Sequence, residues 1–270
     1  GDEIGAGYTG FLWPLFIDQA KKTNFESAWK ELLTNLKFHQ FDNDKIYKFI
    51  TSSIYNQKFY GASTSDGQKI IGENCFLNSY IKKHDTNFPN YKKLFDSHLL
   101  NSQYIELYHT KLPRGLRYVD RASSASGREA RVPLLSKDIV EFCFSIPNES
   151  KIKNNELRWF MKRSLNFLNK KMIKLKNKKS IADPQRIWMR KDLKKLFLSI
   201  FQSKRFQERG IFNNIEVLDV YSKFLNDESM HSLGIFQIFI TELWFRLFID
   251  NQPTKFSGIK LDEFIFETNN

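Results

Sequence analysis

The chain has 270 residues, 41% of them hydrophobic and 15% aromatic, so it is not disordered: that much apolar surface has to be buried, and the length allows one large domain or two small ones. Its two cysteines, Cys75 and Cys143, exclude a disulfide scaffold and a zinc site of paired thiolates, and read as reduced thiols in a cytoplasmic protein. The net charge of +12 fits nucleic acid, nucleotide phosphates or an acidic partner domain, and equally a solvated lysine-rich face; charge alone does not choose.

From the N-terminus, Gly1-Asp2-Glu3 carries neither an initiator Met nor a basic n-region, which reads as a start inside a longer protein. Gly1 to Tyr8 pairs carboxylates with glycines, as a tight turn presenting a carboxylate to Mg²⁺ would, and as many surface turns do. Phe25, Trp29, Leu32 and Leu33 give a helical face, and Ile46, Phe49, Ile50 and Ile54 give another after the helix starters Asp42-Asn43-Asp44. Residues 61–72 read as a loop. A helical stretch from Tyr91 to Tyr118 is expected to break near Pro113.

The segment Arg121 to Leu135 differs, because Ser123, Ser124, Ser126 and Gly127 break a helix and Pro133 extends its predecessor. Glu129 and Arg131 then point to one side. With Asp120 and Arg121 they form either buried salt bridges or an arginine fork for a carboxylate or phosphate. Ser136 is expected to cap a helix that ends before Pro147. Further helices are expected at 156–168, 185–201, 214–226 and 233–249, with Asp183 and Pro184 opening the second and Trp188 as its first buried anchor. In the first of them, Arg158 and Lys162 are four apart and share a face suited to a polyphosphate, or simply to water. Residues 251–270 read as a polar tail. No run reads as a strand, and no stretch approaches the ~18 apolar residues of a membrane helix, the longest being broken by Thr241, Glu242 and Arg246. The fold class is mainly α over residues 1–250.

The order of these stretches resembles the asparagine synthetase family. Gly1 to Tyr8 matches its acidic motif, (A/S/G)DE-x-x-x-GY. Leu112-Pro113, Leu116, Asp120-Arg121, Ser123, Gly127, Glu129, Arg131 and Pro133 fall on its LP…DR…GxExRxP block. Arg158 and Lys162 align with a K-x-x-x-R pair, Lys178 to Trp188 with a Lys-pair, Pro and Trp segment, and Arg209 to Phe212 and Leu243 to Arg246 with closing helices. The resemblance implies the C-terminal helical part of an α/β adenine-nucleotide alpha-hydrolase-like (PP-loop) synthetase domain. There ATP and Mg²⁺ convert a carboxylate to an acyl-adenylate that ammonia attacks, the ammonia coming from a glutaminase domain.

On that resemblance Asp2 is the metal ligand with catalytic Glu3 beside it, and Arg158 and Lys162 meet the nucleotide phosphates, Arg158 at the catalytic Lys position. Asp120, Arg121, Glu129 and Arg131 shape the pocket for a small carboxylate substrate. Aspartate is the first acceptor implied. The Asp183-Pro184-Gln185-Arg186 form also resembles a branch in surface-polysaccharide biosynthesis, where a uronic acid is amidated. Arginine cannot exchange protons near neutral pH, which keeps a catalytically inactive relative as a third reading. The family's SGGxDS pyrophosphate loop is not among these residues. A nucleic-acid module has no reading helix, RNA-binding aromatic pattern or zinc pattern behind it.

Overall fold

The computed structural model describes residues 1–56, 75–77, 79, 91–165, 167, 184–226 and 233–250. Among them there are helices and no strand, only two isolated bridges, Phe76 with Phe212 and Lys153 with Glu156. The chain divides into two compact units, one from Gly1–Asp66 with Pro89–Lys179, the other from Gly67–Phe88 with Ser180–Asn270. The loop expected at 61–72, the Lys178–Asp183 part of the lysine-rich motif and the tail at 251–270 lie outside the described residues.

In the first unit α1 (Asp2–Gly5) leads through a 3-10 turn to α2 (Leu12–Lys22), a helix that the sequence pattern does not show. Apolar residues on nearly every position of its first half mask the period, and Pro14 reads as a breaker. Pro14 is harmless because it falls in the first turn, where amide protons have no helical acceptor. The helices α3 (Phe25–Phe38) and α4 (Asn43–Asn56) are those expected, capped by Asn24 and Asp42, whose carboxamide and carboxylate each accept a backbone amide at 2.8 Å. Leu12, Phe16, Leu32, Leu36 and Leu99 share one core.

Helix α5 (His98–Tyr108) starts on a buried carboxylate from α2. Asp18 accepts the Ser97 hydroxyl at 2.6 Å, the His98 and Leu99 amides at 2.7 and 3.1 Å, and the Asn148 amide at 3.1 Å. A carboxylate with four donors tolerates burial, and it ties α2 to the orphan amides of α5. The expected break at Pro113 falls earlier, at His109–Thr110, and α6 (Lys111–Ser124) carries the proline in its first turn. Gly127, in the left-handed region at φ 62°, ends this stretch, with the Arg128 amide bonded back to the Ser123 carbonyl at 2.9 Å. A 3-10 turn at Pro133–Leu135 leads to α7 (Lys137–Ser145). Ser136 stands at its N-cap with extended backbone, yet its side chain makes no capping bond, contrary to expectation.

Helix α8 (Asn148–Lys151) is followed by a tight turn in which Lys153 and Glu156 exchange backbone bonds of 3.2 and 2.9 Å. Its central residues, Asn154 and Asn155, both have positive φ, 52° and 62°, as a type I′ turn requires and asparagine tolerates. Helix α9 (Trp159–Ser164) comes next.

The second unit contains α10 (Gln185–Arg190), α11 (Lys194–Gln202), α12 (Lys204–Glu208), α13 (Asn214–Asn226) and α14 (Leu233–Phe245), which widens into a π-helical turn at Arg246–Asp250. The helix expected at 185–201 is thus two, separated by a turn at 191–193. Pro184 precedes the first helical residue, and the buried anchor is Met189, not Trp188, which is half exposed. Stacked aromatics fill the core, with Phe197 and Phe239 at a centroid distance of 4.0 Å. Beside them lies an ion network: Arg209 bonds Glu242 through two nitrogens, both at 3.0 Å, and Arg246 bonds the same carboxylate at 2.8 Å.

Candidate functional site

The acidic motif is a one-turn helix rather than a bare turn. Ala6, left-handed at φ 55°, ends α1, and the Gly7 amide returns to the Asp2 carbonyl at 2.8 Å. The two carboxylates diverge. Asp2 Oδ1 accepts from Arg158 Nη1 at 2.9 Å, whereas Glu3, buried, accepts the Tyr8 hydroxyl at 2.6 Å. Burial, and then the bond to Glu3, push the Tyr8 phenol far above its ordinary value, so it stays a proton donor to Glu3. Lys111 stands over the Tyr8 ring at 3.8 Å and pairs with buried Glu106 at 2.9 Å.

The glycines of the motif are there for close approach. A Cβ on Gly5 would overlap the Met161 sulfur, and one on Gly7 would overlap the Asp2 carboxylate and come 2.9 Å from Arg158 Cδ. Only bare backbone lets Arg158 and Met161 lie against α1.

Arg158 is not on the helix that the spacing to Lys162 predicts. It is the N-cap of α9, left-handed at φ 55°, a conformation that costs a non-glycine residue roughly 1–3 kcal/mol. The preceding type I′ turn delivers the chain in this geometry and aims the side chain at Asp2. Its Nε is buried without a hydrogen-bond partner, and the side chain is 36% exposed against 15% for Asp2. A guanidinium paired through one nitrogen, with an orphaned N–H beside it, is suited to an anion. Burial lowers the Lys162 ammonium from its ordinary value, and the positive charge of Arg158 lowers it further, so the two cations are electrostatic neighbours although they do not share a helix.

A single accessible carboxylate suits Mg²⁺, which is usually held by one or two carboxylates with water and substrate phosphates. Among the described residues no group of three or more His, Cys, Asp or Glu side chains forms a self-sufficient metal cage. Asp2 fits the shared kind of site, while Glu3 is already engaged by Tyr8.

The third group predicted from sequence is not brought into this cluster. Asp120 and Arg121 are exposed at the end of α6, and Glu129 and Arg131 pair with each other at 2.9 Å, 70% and 81% exposed. They do lie on one side, as expected, but the buried-salt-bridge alternative is wrong for this pair. The block meets the acidic motif through apolar residues: Leu112 and Leu135 pack in the cluster that buries Ile4, and Leu134 Cδ1 lies 3.1 Å from the place of a Cβ on Gly1.

Sequence reasoning missed Lys151 and Gln103. Both are fully buried and joined at 3.0 Å, and the Gln103 amide donates to the carbonyls of Glu3 and Ile4 at 2.8 and 2.9 Å. One lysine in a Lys-rich stretch gives no signal that it is buried. Burial brings its ammonium down from 10.5 to about 8, opposed only by Cys143. Protonated, it carries a desolvation cost that the unfolded chain lacks, so the unfolded state binds more protons between those values. Relative to Lys151→Met, stability should therefore rise by on the order of 3 kcal/mol from pH 8 to 10.5. Urea unfolding of both proteins across that range checks this, and a flat difference would refute it.

The helical scaffold of the first unit brings an acidic turn and an arginine together from segments 156 residues apart. The comparisons with known proteins name the family. The Asparagine synthase family model matches residues 1–246, so the chain belongs to that family. It is 21% identical over 150 residues to "Asparagine synthetase [glutamine-hydrolyzing] 1" of Bacillus subtilis (strain 168), a match that covers 56% of this chain and 23% of that protein. No solved structure matches the chain significantly. Both cysteines are free and buried, and among the described residues no helix is long and apolar enough to cross a membrane.

Proposed function

We propose that this chain is the helical part of a cytoplasmic PP-loop synthetase domain that amidates a small carboxylate, aspartate first among candidates, using ATP. The substrate carboxylate oxygen attacks the α-phosphorus of ATP and pyrophosphate leaves. Ammonia then attacks the acyl carbon and AMP departs. A carboxylate is a poor electrophile, and the adenylate supplies the leaving group. The ammonia would come from a glutaminase domain, and the pyrophosphate loop from outside these residues.

The observation that carries this reading is the pairing of Asp2 with Arg158 across 156 residues, with a buried guanidinium N–H left over. Mg²⁺ would supply charge neutralisation on the departing pyrophosphate, with Asp2 as its protein ligand. Arg158 and Lys162 would add fixed positive charge. Arg158 cannot act as an acid or base here, so its part is electrostatic. Glu3, held by Tyr8, would orient the turn. Asp120, Arg121, Glu129 and Arg131, exposed and outside the Asp2–Arg158 cluster, would contribute only to the outer rim of the acceptor pocket.

Pyrophosphate release from ATP by the full-length protein, with glutamine and aspartate, tests this. Arg158→Met should lower the rate about 10²–10³-fold, the usual worth of one such group, while Arg158→Lys keeps most of it. Release with a uronic acid and not with aspartate would move the acceptor. No release with either, and none restored by Arg158→Lys, would leave an inactive relative.

A further inference from the structure

Lys151 is a buried cation without a counter-ion: among the described residues no carboxylate pairs with it, and its ammonium donates to Gln103 Oε1 at 3.0 Å. Its other neighbours are Cys143 and the Phe144 ring, the latter at 5.5 Å. A core position filled only for stability would be apolar, since an unpaired buried charge is costly. Departures of this kind concentrate where function requires them.

What the charge does follows from hydrogen-bond valence. An ammonium only donates, so it fixes which end of the Gln103 amide faces it, and the NH₂ end must turn toward α1. There it meets the Glu3 and Ile4 carbonyls at 2.8 and 2.9 Å. The Gly1 and Asp2 carbonyls are already taken by the Gly5 and Gly7 amides, at 2.9 and 2.8 Å. Gln103 therefore satisfies the two acceptors that a one-turn helix cannot satisfy itself.

We propose that Lys151 and Gln103 are positioning residues, a donor relay from α8 through α5 that locks α1 in place and so sets the Asp2 carboxylate against Arg158. The proposal rests on the reading of Asp2 and Arg158 as the ligand site. Neither residue touches substrate; both act through the backbone of the acidic turn.

Gln103→Glu separates positioning from stability. It gives Lys151 a carboxylate partner yet removes the donor that, among the described residues, serves the two carbonyls. The experiment compares it with Lys151→Met, Gln103→Leu, the double variant of these two, and Leu99→Ala, a core change in the same helix. Amide exchange over Gly1–Tyr8, Mn²⁺ affinity and the kinetics of pyrophosphate release are read in the full-length protein. Gln103→Glu should unfold no more easily than Leu99→Ala, yet exchange at Gly5 and Gly7 at least tenfold faster. It should bind Mn²⁺ at least tenfold more weakly, with kcat reduced and KM for ATP within about twofold. The double variant should lose no more than the worse single, as members of one relay do. Unchanged exchange at Gly5 and Gly7 in Gln103→Glu, or equal acceleration in Leu99→Ala, overturns the proposal. Faster exchange in a protein whose wild type binds no Mn²⁺ and releases no pyrophosphate would uphold the grip on α1 and discard the ligand-site reading.

Discussion

Glu242→Ala should destabilise the second unit by about 3–5 kcal/mol, the usual effect of stripping one partner from a buried charge cluster. Glu242 is fully buried and accepts three guanidinium bonds, two from Arg209 at 3.0 Å and one from Arg246 at 2.8 Å. Arg209 also grips Asp250 through two bonds of 2.7 Å, which keep the Asp250 carboxyl below its ordinary value and Arg209 permanently charged. Arg246 is buried too, and reaches the Ser203 hydroxyl at 2.6 Å. Without the carboxylate, Arg209 keeps Asp250, but the fully buried Arg246 loses the acceptor of its Nε and the negative charge between the two guanidiniums is gone. Glu242→Gln should fall between, because it keeps one acceptor but sets an NH₂ group among donors. Urea unfolding measures both, and a loss under about 1 kcal/mol for the alanine variant would contradict this account of the cluster.

The second large effect is at Gly7. A methyl group there would overlap the Asp2 carboxylate and come 2.9 Å from both Asp2 Cα and Arg158 Cδ. A backbone atom cannot step aside as a flexible side-chain end can, so Gly7→Ala should push α1 and Arg158 apart. Overpacking of this kind costs about 1–3 kcal/mol. The larger loss should be in pyrophosphate release, by about 10²-fold, because displacing a positioned group by an ångström has that order of effect. Gly10→Ala is the control, since nothing lies within 4 Å of a Cβ there. If the two variants behave alike, the close approach is not what the glycine serves.

Family membership was legible because it is written in local motifs. The acidic motif, the DR…GxExRxP block and the Arg158–Lys162 pair keep their order whatever the fold, and the match over residues 1–246 follows them. Most helices were legible too, where a one-sided apolar stripe or a capping residue marks them, as in α3, α4 and α13. Helix α2 was not, because its first half is apolar at nearly every position and carries Pro14. The Arg158 geometry was misread for a related reason. Helical spacing to Lys162 is satisfied by a residue just outside the helix, and only the type I′ turn before it places Arg158 in the left-handed region.

The sequence alone determined the helical class and the family, both written in short-range patterns. Tertiary structure decided the pairings. Asp2 and Arg158 are 156 residues apart, and no spacing rule operates over that distance. It also decided that the Gly1–Tyr8 motif, which the sequence presents as a tight turn with paired carboxylates, is one helical turn whose carboxylates have different partners. It made Lys151 a buried donor where composition makes every lysine a surface residue. Burial and hydrogen-bond partnership depend on what the rest of the chain packs around a residue, which local sequence does not contain.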